Sequence, residues 1–330
     1  MPEIIQTDEV PVAVSSLQEN GDTSPLCIIA PAAPQRINPN ERHDMKDIVP
    51  SDYQGLTTEI EIPSYGFVPD QWSKAFQRGL QRLDIAGKTL VEPGVGTGLN
   101  IGYLASRSKS DRPKAIWNGD YDPRMPKTAA RNCDRMLTPE ARSIVHPCEG
   151  SLSLISWLKR NNVRPDLVYG CLPQVQCPDD IVLGTRDSLS HYFKAPAGEK
   201  IDQHTKDMND FGLRLQVMLL QEARTLLTKN GQVVLNLGGR PGKDVLTKMF
   251  EQEGFQAKIL HAEIIEQHEG TNLQKFADRE DAVQHLTGHK FEFFRDPLGK
   301  DQIDAAEAQR LKLSKQPVYH YIYVVRGTMA

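Results

Sequence analysis

Two patterns of hydrophobic residues alternate along this chain, one typical of buried strands and one typical of amphipathic helices. Short apolar runs of strand length, beginning with TLVEP and continuing with AIWNGD, SIVHP, DLVYG and QVVLNL, are bounded by turn-forming residues. Between them, stretches such as MPKTAARNCDRM and FGLRLQVMLLQEARTLL repeat their apolar residues every three or four positions, as amphipathic helices do. Strands that alternate with helices predict an α/β fold, in which helices cover both faces of a doubly wound, mostly parallel sheet.

The pattern changes at both ends of the chain. Residues 1–50 are rich in Pro, Ser, Asn and Asp and show no period, which predicts an N-terminal extension ahead of a domain at 51–330. Early in that domain, FVPDQWSKAFQRGLQRL predicts an amphipathic helix that starts near Asp70. Later, AKILHAEIIE and VYHYIYVVRG predict two strands, and the polar stretch between them, about residues 270–315, predicts an inserted cap or interface.

Composition and net charge say more about the binding partners of this protein than about its fold. Hydrophobic residues make up 39% and charged residues 25% of the 330 residues, as in ordinary soluble proteins, and the net charge is -4. A slightly acidic chain disfavours nucleic acid and membranes as partners, so we expect a small-molecule substrate. The amino terminus lacks the features of a signal peptide, which predicts a cytoplasmic location. The sequence leaves open whether the protein is a homodimer.

Cysteine and histidine spacing favours neither a disulfide framework nor a metal site. The five cysteines form no CxxC pair, so we interpret them as reduced thiols. His285 and His289 are four residues apart, but Gly288 interrupts the helix that would align them. We therefore expect no bound metal.

The most distinctive motif is EPGVGTG, the turn after the first strand of the predicted sheet. It contains Gly94, Gly96 and Gly98. Leu99 stands where a dinucleotide-binding fold has its third glycine, and no Walker lysine follows. Glu92 offers negative charge to a ligand with a cationic amino group, while the bare backbone admits a flat nucleoside. S-adenosylmethionine has both parts, so we predict it as the ligand.

A carboxylate suited to a ribose follows the second strand. Asp120 lies about 20 residues after the glycine turn, at the same carboxyl edge of the sheet, where it can bind both ribose hydroxyls. We assign the adjacent Tyr121 to the same cofactor site. The spacing, the strand context and the acid all favour one nucleoside site.

Seven segments carry a resemblance to a known family. They are FVPDQWS, EPGVGTG, YGCLPQV, SLSHYF, DFGL, NLGGRPGKDVLTKMFEQEGF and HKFEFF, and they cover roughly residues 65–295. In these segments the chain resembles class I S-adenosylmethionine-dependent methyltransferases. It resembles specifically the methyltransferase domain of methionine S-methyltransferases, including the plant enzyme and its shorter bacterial counterpart in dimethylsulfoniopropionate synthesis. The resemblance implies a Rossmann-like sheet of seven strands and methyl transfer to the thioether sulfur of L-methionine, giving S-methylmethionine and S-adenosylhomocysteine.

The segment after the fourth strand agrees with a sulfur acceptor. Related enzymes that methylate nitrogen carry Asn-Pro-Pro-Tyr there, whereas this chain has Cys171, Leu172, Pro173 and Gln174. A thioether has no N–H to orient and no proton to lose, so transfer relies on near-attack geometry and exclusion of water, without a general base. We interpret Cys171 as a wall of the cofactor pocket and not as a nucleophile.

Aromatic faces are expected to accommodate the positive charge that passes between the two sulfurs. Tyr169 and Phe211 are candidates, but core aromatics are the commoner explanation for both. Tyr192 in SLSHYF, with Tyr65 and Phe67 in the YGF segment, lies in stretches expected over the pocket. We select these three as the catalytic aromatic residues.

A methionine zwitterion needs a partner at each end. Arg240 follows the fifth strand, and its planar fork suits the carboxylate. For the amino group the sequence does not choose between Asp187 and Asp210, and Gln174 completes the predicted substrate site. Ser151 stands where many methyltransferases hold an acid that contacts adenine, so we assign it to the cofactor.

Two other functions remain alternatives. One is a nitrogen methyltransferase that acts on a small molecule or a protein side chain. The other is a non-enzymatic module that keeps the scaffold without the transfer reaction. The intact Glu92 and Asp120 weigh against the second.

Overall fold

The computed structural model describes residues 42–63, 66–148, 157–176, 192–193, 202–268, 271 and 273–330. Its strands are β1 (Arg42–Asp44), β2 (Glu59–Glu61), β3 (Thr89–Pro93), β4 (Ala115–Gly119), β5 (Val145–Pro147), β6 (Leu167–Gly170), β7 (Val175–Gln176), β8 (Tyr192–Phe193), β9 (Gln232–Gly238), β10 (Phe255–Glu266), β11 (Phe293–Phe294), β12 (Gln302–Ile303) and β13 (Tyr319–Met329). The helices with bounds inside these residues are α1 (Gln71–Leu80), α2 (Leu99–Ala105), α3 (Met125–Met136), α4 (Pro139–Arg142), α5 (Gln203–Asp210), α6 (Arg214–Leu226), α7 (Lys243–Gln252), α8 (Gln274–Ala277), α9 (Glu280–Thr287) and α10 (Ala305–Leu313). None of these helices combines the length and the apolar character that a bilayer span requires.

One sheet organises the domain. Its strands lie in the order β12-β11-β13-β9-β6-β3-β4-β5, and β10 pairs along the other edge of β13. Strands β3, β4, β5, β6 and β9 are parallel, whereas β10 and β13 are antiparallel to each other and β13 is antiparallel to β9. Every strand predicted from an apolar run is present. The predicted doubly wound, mostly parallel α/β fold is therefore confirmed.

The main sheet has nine strands in the described residues, where seven were predicted. The additional strands, β11 and β12, come from the insertion and have two residues each, too few for a period to reveal. Phe294 pairs with Tyr319 of β13, and Gly238 at the end of β9 pairs with Ile322 of the same strand. Strand β11 therefore continues the line of β9 past its carboxyl end, so the insertion borders the carboxyl edge of the sheet.

Two apolar clusters pack against opposite faces of the sheet. Successive residues of a strand point to opposite faces, and Leu90 belongs to the cluster built with α1, α2 and α3, whereas Val91 belongs to the one built with α6 and α7. Both side chains are at most 1% exposed. A strand buried on both faces reads as a continuous apolar run, which is why the sequence pattern located it.

Helix α1 forms where the sequence predicts it. Asp70 caps its N-terminus, because its carboxylate accepts a hydrogen bond from Trp72 N at 2.8 Å. Phe76 and Leu80, one turn apart, are buried in the same cluster as Leu90. The cap and this buried face fix the first turn of the helix, and with it the position of Trp72.

Packing onto the domain begins ahead of residue 51. Strands β1 and β2 form a two-stranded antiparallel sheet, and Met45 is 5% exposed within the cluster that includes α1. Residues 1–41 of the predicted extension lie outside the described residues.

We expect Gly79→Ala to destabilise the domain, although alanine favours a helix over glycine by about 1 kcal/mol. A Cβ at residue 79 would lie 2.4–2.7 Å from three side-chain carbons of Val324 on β13. Overpacking of this kind costs about 1–3 kcal/mol, which outweighs the helix propensity. Urea denaturation should show the lower free energy of unfolding. Because Val324→Ala removes two of the three clashing carbons, the double variant should lose less than the sum of the single losses. Additive losses would contradict the contact.

Candidate functional site

The glycine turn joins β3 to α2 at the carboxyl edge of the sheet. Gly94 N donates to Gly119 O at 2.8 Å, which ties the turn to the end of β4. Gly98, with φ +80°, packs closely on α3, because a Cβ there would lie 2.9 Å from the Cβ of Ala129. Gly96, with φ +53°, differs, since a Cβ there would meet no atom of the described residues within 4 Å. Bare backbone at Gly96 thus faces open space, as the predicted nucleoside site requires.

Asp120 lies beside that turn. Its Oδ2 accepts a hydrogen bond from Gly96 N at 3.0 Å and its Oδ1 accepts one from Asp122 N at 3.1 Å. Burial raises the pKa of this carboxyl above its usual value, while the two backbone donors oppose the shift. A carboxylate oxygen has two lone-pair sites, so each keeps capacity for a ribose hydroxyl. The next residue, Tyr121, is 76% exposed and presents a free aromatic ring.

Glu92 lies beneath the turn in a closed polar network. It is 1% exposed, and its carboxylate accepts from Asn100 Nδ2 at 2.7 Å and from the Tyr169 hydroxyl at 3.1 Å. Asn100 in turn accepts from Gln77 Nε2 at 2.6 Å. Burial raises the pKa of Glu92 to about 8, and the negative charge of Asp120 acts in the same direction. Tyr169 is therefore a buried partner of Glu92, in line with the core explanation of this tyrosine.

Cys171 follows β6 and contacts two other elements. Its Sγ accepts hydrogen bonds from Trp72 Nε1 at 2.8 Å and from Asn236 Nδ2 at 3.5 Å. Burial raises the pKa of the thiol to about 12, so it stays protonated at neutral pH. This supports the interpretation of Cys171 as a wall and not as a nucleophile.

The loop after Cys171 is held from both sides. Gln174 is 6% exposed, and its Oε1 accepts from Gly238 N at 2.6 Å, which joins the loop to the end of β9. On the other side, Gln216 Nε2 of α6 donates to the carbonyl oxygens of Leu172 and Pro173, both at 3.2 Å. The loop therefore has a fixed position between the glycine turn and the end of β9.

Arg240 is a buried cation at the end of β9. It is 6% exposed, its Nε donates to Gln267 Oε1 at 3.0 Å, and its Nη2 lies 3.2 Å from His320 Nε2. The Trp72 and Phe276 rings lie 5.6 and 5.1 Å from the guanidinium carbon. Burial lowers the pKa of Arg240 to about 10, which leaves it charged at neutral pH. Within the described residues it forms no ion pair, so its charge is available to an anionic ligand.

The remaining predicted residues fall in different places. Asp210 ends α5, where burial raises its pKa and Arg279 opposes that rise. Phe67 is half-buried ahead of α1. Phe211 is 2% exposed, with its ring 6.2 Å from the Phe291 ring, and is a core aromatic.

Four other predicted site residues are described by the structure only in part or not at all. Tyr65, Ser151 and Asp187 lie outside the described residues, and the backbone of Tyr192 forms β8 beside β7.

Three residues near Arg240 were missed by the sequence reasoning. Trp72 belongs to the FVPDQWS motif, but its spacing matched the apolar face of α1. His320 lies in the apolar strand β13, and Gln267 follows β10. The informative signal was a polar residue within an otherwise apolar strand, VYHYIYVVRG, which often marks a buried polar contact.

Glu92→Gln should flatten the pH dependence of stability. With a pKa of about 8, the folded protein keeps a proton that the unfolded chain releases near 4.5, so the free energy of unfolding falls as pH rises between these values. Glutamine mimics the protonated acid and should remove a slope worth on the order of 2–5 kcal/mol over that range. Urea denaturation of ligand-free protein at several pH values measures it, with the exposed Glu251→Gln as control. Equal slopes in wild type and Glu92→Gln would show that Glu92 is ionised in the folded protein.

Comparison with known proteins agrees with the motifs. No family model matches the chain. Methionine S-methyltransferase of Zea mays is 28% identical over 283 residues, which cover 81% of this chain and 25% of that protein. The Arabidopsis thaliana protein of the same name is 24% identical over 290 residues, which cover 80% of this chain and 26% of that protein. The chain thus spans about a quarter of the length of the curated relatives it matches.

Among solved structures, a methyltransferase from Pyrococcus furiosus is 15% identical with a TM-score of 0.38, and the match covers 80% of this chain and 87% of that one. The sequence matches confirm the resemblance to methionine S-methyltransferases that the motifs predicted.

Proposed function

We propose that the chain transfers a methyl group from S-adenosylmethionine to the thioether sulfur of L-methionine. The observation that carries the proposal is Arg240, a buried cation with no acid partner in the described residues, at the same sheet edge as the glycine turn. That edge offers a place for a nucleoside and, across the loop after β6, a place for an amino-acid carboxylate. The name of the curated relatives, methionine S-methyltransferase, supports methionine as the methyl acceptor.

The residues around the glycine turn suit the donor. Gly96 leaves open space, Asp120 retains acceptor sites for the ribose hydroxyls, and Tyr121 offers a ring face to adenine. Glu92 is proposed to contact the donor's amino group, whose positive charge would favour the ionised carboxylate over the protonated form of the ligand-free protein. Ser151 is proposed to contact adenine. When bound, the donor supplies an electrophilic methyl group on a sulfonium.

The acceptor side needs to position a sulfur and to exclude water. In the transfer, the bond between the donor sulfur and the methyl carbon breaks as the methionine sulfur forms its own bond to that carbon, and no proton is released. Arg240 binds the carboxylate and so sets the distance from the sulfur to the donor. The protonated Cys171 thiol and the fixed Gln174 form the wall between the two ligands.

Further residues complete the proposed acceptor site. Tyr192, Tyr65 and Phe67 are proposed as the aromatic faces toward the shared charge. Asp187 and Asp210 are the two acids proposed for the substrate amino group, although Asp210 also interacts with Arg279.

Asp120→Ala should weaken the binding of S-adenosylmethionine by about 2–4 kcal/mol, because the ribose hydroxyls lose a charged acceptor. Isothermal titration measures the affinity, and the exposed Asp111→Ala serves as the matched control. An affinity for Asp120→Ala within a factor of two of wild type would mean that the donor binds elsewhere.

The acceptor atom is tested by product mass and pH. With labelled donor and a panel of thioethers and amines, we expect methionine to give a sulfonium product. With chemistry limiting and both substrates saturating, kcat should change only a few-fold between about pH 7 and pH 9, because a thioether does not titrate. An amine acceptor must lose a proton, so its rate should climb about tenfold per unit below a pKa near 9–10. Such a climb, or a new methyl group on nitrogen, would favour the nitrogen-methyltransferase alternative.

A further inference from the structure

The Arg240 guanidinium is held on two of its three nitrogens. Nε donates to Gln267 and Nη2 lies against His320, whereas Nη1 has no hydrogen-bond partner within the described residues. A Cβ placed on Gly238 would lie 3.1 Å from this Nη1 and 3.2 Å from Gln174 Oε1. The unused edge of the fork therefore faces the end of β9, beside the loop after β6.

The contact with His320 determines which ring nitrogen carries the proton. Every guanidinium nitrogen of Arg240 is a donor, so His320 Nε2 must accept and the proton must sit on Nδ1. His320 is 1% exposed, and its Nδ1 has no hydrogen-bond partner among the described atoms. The ring is thus neutral, and it orients Arg240 without adding a second positive charge.

Two aromatic rings restrict the guanidinium further. Trp72 comes from the first turn of α1 and Phe276 from α8 of the insertion, and both rings lie within 6 Å of the guanidinium carbon. Together with Gln267 and His320, four neutral groups from four parts of the chain surround one charge. They fix its orientation, and no acid in the part of the chain that the structure describes compensates its charge, which is the arrangement that a carboxylate ligand completes.

We propose that His320 and Gln267 are positioning residues that hold Arg240 with Nη1 directed at the acceptor carboxylate, which restricts the acceptor to thioethers that bear a free carboxylate. This inference rests on the proposed function and names its substrate class. His320 and Gln267 act through Arg240 and do not touch the reacting sulfur.

The test compares L-methionine with L-methioninamide, which keeps the thioether and the amine but lacks the negative charge. For wild type we expect kcat/KM to be at least about 100-fold higher for methionine. His320→Leu should raise the KM for methionine about 10- to 100-fold and leave kcat within a few-fold, whereas the KM for methioninamide should hardly change. His320→Gln should recover most of the loss, because its amide oxygen can accept from Nη2.

Control variants separate positioning from general damage. Gln267→Leu removes the second contact and should give the same split between the two substrates. His261→Leu alters a half-buried histidine of β10 that contacts Glu263, and it should change neither KM. Thermal melting and donor titration identify folded variants, and if His320→Leu does not fold, Gln267→Leu carries the comparison.

Two results would overturn the inference. One is an equal rise in KM for methionine and methioninamide in folded variants, which would indicate a purely structural role. The other is a wild type that does not discriminate between the two. A wild type that methylates neither compound would instead contradict the proposed function. In that case, calorimetric binding of the two compounds to protein saturated with S-adenosylhomocysteine makes the same comparison without catalysis, and equal or absent binding would overturn the inference.

Discussion

The burial of the Arg240 guanidinium, with no carboxylate partner among the described residues, is the constraint that shapes the carboxyl edge of this sheet. Moving a charge out of water costs several kcal/mol unless partners replace the lost solvation. Around Arg240 the replacement comes from an amide oxygen, a neutral imidazole and two aromatic rings. These groups come from α1, the end of β10, the insertion and β13. The burial of this single side chain therefore requires all four parts of the chain to be in position.

The opposite side of the same sheet edge, beside the glycine turn, holds acidic side chains. Burial raises the pKa values of both carboxyls there, so Glu92, with a pKa of about 8, keeps a proton at neutral pH in the ligand-free protein, whereas two backbone N–H groups favour the ionised form of Asp120. Between the two sides stands the loop after β6, fixed by Gln174 and Gln216. The edge is therefore electrically polarised along its length, so that cationic and anionic ligand groups favour different ends of it. In a low-dielectric site such a gradient orients ligands as well as attracting them.

The sequence predicted the structure correctly where the residues of a single strand or turn determine it. Strands β3, β6 and β9 are buried on both faces, so local hydrophobicity locates them. The spacing from Glu92 to Asp120 brings the turn and its carboxylate together once the strands are parallel. The two added strands were not predicted because pairing makes them strands and their own residues do not, since β11 pairs with Tyr319 of β13 and β12 pairs with β11. The sequence did not predict the contacts that Trp72, Gln267 and His320 make with Arg240, because these contacts form only after α1, β10 and β13 are assembled. Periodicity along the chain carries no information about such distant contacts.

The placement of the insertion beyond the end of β9 has an evolutionary consequence. The donor turn and its carboxylate lie within residues 89–122, whereas most groups around Arg240 come from residues 236–323, including the insertion between β10 and β13. Changes in the length or packing of the insertion act on Phe276 and β11 and leave the glycine turn untouched. If Arg240 binds the acceptor as proposed, acceptor choice can diverge between homologues through one peripheral segment while the residues around the glycine turn are retained.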